Sequence, residues 1–118
     1  MPEPVPVIEV DVLGALDEMQ RELKSSHAAR TVAKHGSLRL LLLALKAKGS
    51  VPEHKAEGRV SIHTLRGHVR IHTASATFDL PAGRLITLDP GERHDVEAVE
   101  DSGVLVTIAM TTAARAAE

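Results

Sequence analysis

The sequence predicts an all-β domain, an antiparallel sandwich or barrel, with one helix ahead of it. Three observations carry that prediction. From Arg59 to Met110 the chain breaks into short alternating or apolar segments; Pro81-Ala82-Gly83, Asp89-Pro90-Gly91 and Glu100-Asp101-Ser102-Gly103 supply turns between them; and apolar residues at helical spacing form one stretch near the start. Half-buried strands each need a second sheet over their apolar face, so such a series closes into a sandwich or barrel.

Taken in order, residues 1–10 hold Pro2, Pro4 and Pro6 and read as an extended arm. Asp11 is placed to cap a helix over 11–25, in which Val12, Leu13, Leu16, Met19 and Leu23 recur at helical spacing. Leu38 to Leu45 is a continuous apolar run between Gly36-Ser37 and a polar stretch from Lys46 to Ser50. Leucine and alanine favour helix, but the length and flanks point to a buried strand. Arg59–Arg66 alternates. Gly67 divides it from His68–His72, where Val69 and Ile71 face one way and His68, Arg70 and His72 the other. Ala76–Leu80, Arg84–Leu88, His94–Val99 and Val104–Met110 complete the series. The barrel is expected over 30–112 and a frayed tail over 113–118, with neither repeat nor interdomain linker.

A chain of 118 residues is one domain's worth and buries roughly two thirds of its unfolded surface, enough for a core without staples. Cysteine is absent, which removes disulfides, thiolate metal sites and thiol nucleophiles. A net charge of −2 with both signs interspersed, and Phe78 as the single aromatic, offer neither a basic stripe nor a stacking platform, so no nucleic-acid partner is expected. MPEPVPVIEV lacks a basic n-region and an apolar h-region, which makes the cytoplasm the expected compartment. LRLLLLALKA is far short of the roughly 20 residues of a spanning helix and carries Arg39, so no membrane partner is expected either.

Residues 49–98 resemble the two sequence motifs of the cupin superfamily. The first reads G, five residues, H-x-H, three or four residues, E, six residues, G. Gly49 stands one residue nearer than the motif asks, His54 fits the first histidine and Gly67 the closing glycine. The second reads G, five residues, P-x-G, two residues, H, three residues, N. Gly83, Gly91 and His94 fall in register, with Asp89 at the proline position and Pro90 beside it. The resemblance implies a double-stranded β-helix, or jelly-roll barrel, and a homodimer. An apolar strand at 38–45 that needs covering agrees with the dimer. In metal-binding cupins both H-x-H histidines, the glutamate and the second-motif histidine hold a divalent ion. This chain has His54 and His94, but Ala56, Val60 and Ala98 where the second histidine, the glutamate and the final asparagine would stand.

His54 and His94 are therefore the candidate metal ligands, for a weakly bound divalent ion or none, because catalytic zinc and iron sites generally take three protein ligands. Strand alternation puts His94 on the face of Val96 and Ala98; with Val60 and Ile62 these form the expected pocket wall. The same alternation turns His63 away from Val60 and Ile62, so that it reaches the site only through a bulge. Glu53, Glu57 and Glu92 are loop carboxylates near the two histidines. His68 and His72 read as solvated surface, and His27 and His35 lie ahead of the expected strands.

Three functions fit. The first is a module that binds a small organic ligand in the barrel. The second is a metal-dependent oxygenase or isomerase of the cupin type using His54, His94 and a nearby carboxylate or His63. The third is a scaffold that keeps only dimerisation. Alanine at 56 and valine at 60 favour the first, and a catalytic residue set is not identified.

Overall fold

The computed structural model describes residues 6–110; the first two prolines of the arm and the tail at 113–118 lie outside the described residues. One helix, α1 (Val12–Glu22), precedes nine strands: β1 (His27–His35), β2 (Leu38–Leu45), β3 (Ser50–His54), β4 (Arg59–Arg66), β5 (His68–Thr73), β6 (Thr77–Pro81), β7 (Leu85–Leu88), β8 (His94–Ala98) and β9 (Ser102–Ala109). Two antiparallel sheets result, ordered β1-β2-β9-β4-β7 and β3-β8-β5-β6. The jelly-roll class read from the sequence is the class of the structure.

Strand alternation decides which residues fill the space between the sheets. Leu43 and Leu45 of β2, Val60 and Ile62 of β4, Val69 and Ile71 of β5, and Val96 and Ala98 of β8 converge in one apolar cluster. The turns that return the chain between sheets need unusual backbone. Gly67 has φ +80°, and a Cβ there would strike the Asp101 carbonyl and the Ser102 hydroxyl, so no other residue fits without movement.

The uninterrupted apolar run of β2 has a simple cause. The strand lies between β1 and β9. Its Leu43 and Leu45 enter the barrel, while Leu42 and Ala44 on the opposite face are covered by Leu16 and Met19 of α1. That cover comes from within the chain, so this strand no longer argues for a dimer. The helix starts where the Asp11 carboxylate accepts from the Gly14 amide at 2.9 Å. Its register on the sheet is held by Arg66, which donates to Gln20 at 3.0 Å and pairs with Asp17, and by Gly103, whose missing side chain leaves room for Leu16.

One strand was not expected. His27–His35 forms β1, so His27 and His35 bound a sheet strand instead of preceding the barrel, and the strands begin at 27 and not at 30. HAARTVAKH has little apolar contrast, and an irregularity between Thr31 and Ala33 shifts the alternation partway along. An edge strand with a bulge carries a weak periodic signal.

Candidate functional site

The site is built where β3 meets β8. His54 ends β3 and His94 begins β8, and their Cα positions are paired across the ladder. The rings stand edge to face, 4.3 Å between centroids and 61° between planes. His94 is 3% exposed, whereas His54 is open to solvent.

Both rings are oriented in the same way. His54 Nδ1 lies 2.9 Å from the Pro52 carbonyl, and His94 Nδ1 lies 3.0 Å from the Glu92 carbonyl. A carbonyl only accepts, so each Nδ1 carries the proton and donates it. Each neutral ring then has its lone pair on Nε2, where no partner is found among the described residues. Burial holds the His94 imidazole below the ordinary histidine range; the Glu92 carbonyl opposes the shift, and the His54 ring adds to it. His94 is thus a neutral acceptor at neutral pH.

The two rings border a cavity of about 400 Å³. Its walls are aliphatic: Leu41 and Leu43 from β2, Val51 from β3, Val60 from β4, and Val106 and Ile108 from β9. Lys55, Ala56 and Glu57, in the loop after β3, form part of its border. Ala56 ties that loop to the second motif, its carbonyl accepting from the Gly91 amide at 2.9 Å.

All four positions at which a metal-binding cupin carries ligands, 54, 56, 60 and 94, line this one cavity. Two of them bear side chains that ligate. Among the described residues no group of three or more histidine, aspartate or glutamate side chains is placed to hold an ion. The donor set does not fit the four-ligand centre that the cupin motif implies.

The remaining candidates are placed as follows. Val60 lines the cavity, while Ile62, Val96 and Ala98 lie in the packed core. They share the inward face, but side chains of the opposing sheet fill the space there. His63 is on the outer face, paired with Leu85 and Leu105 and alternating with Val60 and Ile62. Glu57 reaches the cavity, Glu53 lies 3.5 Å from Arg93, and Glu92 contributes its carbonyl. His68 and Arg70 engage Asp79 at 2.9 and 3.0 Å on the outer face of the second sheet, and His68 first, then Arg70, holds that carboxylate below its ordinary range.

Leu41, Leu43, Val51, Val106, Ile108 and Met110 are cavity residues outside the pocket expected from the sequence. Alternation within 38–45 and 102–109 marks one face of each strand, but the pairing of Leu41 with Val106, across more than sixty residues, has no local signal.

Comparison with known proteins agrees with this architecture. Residues 42–109, from the middle of β2 through β9 and more than half of the chain, match the AraC-like ligand-binding domain. The chain belongs to that family. As an AraC-like ligand-binding domain it is a small cupin-superfamily protein, and its solved neighbours have the same fold. A cupin superfamily protein from Desulfitobacterium hafniense superposes with a TM-score of 0.74 at 14% identity, covering 92% of this chain and 97% of its own. A conserved protein of unknown function from Streptococcus pyogenes gives 0.71 at 20%, covering 94% and 96%. An RmlC-like cupin from Desulfovibrio desulfuricans gives 0.66 at 23%, covering 92% and 97%. No curated protein matches the sequence. Among the described residues no helix is long and apolar enough to cross a membrane.

Proposed function

We propose that this AraC-like ligand-binding domain holds a small organic molecule in the barrel cavity, oriented by His54 and His94, with at most a weakly bound divalent metal at the same two imidazoles. The observation that carries this reading is the pair of neighbouring rings beside an aliphatic cavity of about 400 Å³. A concave apolar space with a few convergent polar groups is the ordinary form of a small-molecule site. Two imidazoles completed by water leave a metal too many open positions for tight retention, and protons compete with the ion for the same nitrogens.

The second reading, a metal-dependent cupin enzyme, draws on Glu57, a carboxylate at the border of the same cavity, and would need that loop to move before Glu57 could join His54 and His94 as a ligand. His63 has no part in it, since its strand turns it outward. Elemental analysis of untagged protein, beside His54→Ala and His94→Ala, separates the two. Substoichiometric metal favours the binding module; near-stoichiometric metal lost in both variants favours the enzyme.

The working form is proposed to be a cytoplasmic homodimer. Light scattering after size exclusion checks the dimer, and a monomer at micromolar concentration would remove it.

A further inference from the structure

Three properties of the cavity select among small molecules. The first is the polarity of its polar end. Each Nδ1–H is committed to a backbone carbonyl, so the two adjacent rings offer Nε2 lone pairs and no protons. The second is the wall, which is leucine, valine and isoleucine; Phe78, the single aromatic of the chain, is 40% exposed on β6. The third is size, since about 400 Å³ at roughly 30 Å³ per water-sized group takes on the order of ten non-hydrogen atoms.

We propose that the occupant is a neutral aliphatic molecule whose head carries two hydrogen-bond donors, of the vicinal-diol kind, with the head on Nε2 of His54 and His94 and the hydrocarbon body along β2, β4 and β9. This rests on the ligand-binding reading above and names the ligand class. An ester or ketone would set its lone pairs against those of the rings and leave that of the buried His94 ring unsatisfied. A carboxylate would do the same and bring a charge into an aliphatic space; Lys55 and Glu57 at the border offset one another and favour neither sign. A monosaccharide would strand hydroxyls against leucine and valine, where they find no partner.

Three probes of equal non-hydrogen atom count separate these cases: octane-1,2-diol, methyl heptanoate and octanoate. Each is titrated by calorimetry into the full chain at about pH 8, above the ordinary histidine range, with a chelator present so that no metal mediates binding. The diol is expected to bind at least roughly tenfold more tightly than the ester, the factor that an unmade hydrogen bond at a buried ring such as His94 typically costs. In His54→Leu, a change at an exposed ring, the preference is expected to shrink to within about threefold as one acceptor goes. His54→Ala removes the same acceptor with less bulk and repeats the readout should leucine close the mouth. Ester or octanoate binding as tightly as the diol, or a diol preference that survives both variants, overturns the inference and leaves ligand binding intact. If none of the three binds at millimolar concentration, the inference fails together with the reading it rests on.

Discussion

His54 and His94 are partners twice over: their Cα positions pair across the β3–β8 ladder and their rings meet at 4.3 Å. Equal chemistry does not mean equal burial. The His94 ring is enclosed and hydrogen-bonded, whereas His54 stands in solvent.

The two should therefore respond differently to truncation. His94→Ala leaves a void and an unpaired Glu92 carbonyl, and is expected to cost about 2 kcal/mol; His54→Ala should stay within about 0.5 kcal/mol. Urea denaturation of both variants at neutral pH checks this, and equal costs would contradict the burial difference.

Acid should unfold the parent through His94 in a definite window. With its folded value held below the ordinary 6.5, the unfolded chain takes up the proton first. Stability from this group is fully present above about pH 6.5, falls as pH drops below that value, and levels off once the folded ring also protonates. Denaturation midpoints measured across this range should fall more steeply for the parent than for His94→Gln; parallel slopes would count against the shift.

Thr64 presents an uncompensated hydroxyl: its side chain is 0% exposed and Oγ1 has no partner among the described residues. Thr64→Val keeps the shape and removes the unmet group, with an expected gain of about 1 kcal/mol. Thermal unfolding should shift upward by roughly 3–6 °C for a domain of this size. A loss of stability would mean that the hydroxyl has a use.

The helix should be secured mainly by one side chain. Leu16 is fully buried against Leu42 and Ala44 and fits over Gly103. Leu16→Ala is expected to cost about 2–5 kcal/mol. Gly103→Ala, which drives a methyl into the Leu16 side chain, should destabilise by about 1–3 kcal/mol. Chemical denaturation and protease protection at α1 report both.

The four converging motif positions allow a gain-of-function test. Ala56→His with Val60→Glu rebuilds the cupin ligand set around the cavity. The double variant should retain near-stoichiometric divalent metal where the parent does not. Without metal it should lose about 2 kcal/mol or more, because Val60 is only 3% exposed and a carboxylate introduced in its place would be buried and unpaired. Elemental analysis and melting with and without chelator provide the readouts.

Much of this was legible in local pattern. Alternation in RVSIHTLR and HVRIHT placed β4 and β5 to within a residue, and Asp11 marked the start of α1. The pleat also put Val60 on the inner face and His63 on the outer. What escaped was whatever depends on a partner strand. β1 has a bulge and few large apolar residues, so its strand character comes from pairing with β2. Ile62, Val96 and Ala98 share the inward face with the cavity residues, and only the depth of packing by the other sheet separates core from cavity wall.

By itself the sequence determined an antiparallel sandwich or barrel and the inward faces of its strands, because these follow from residue type and short-range spacing; the jelly-roll class and the loss of two ligands from a four-ligand frame were implied by its resemblance to the cupin motifs. Tertiary structure decided that His54 and His94 touch and that β2 and β9 supply much of the aliphatic wall. Those properties arise between segments distant along the chain, where neither periodicity nor composition carries information about which strands become neighbours.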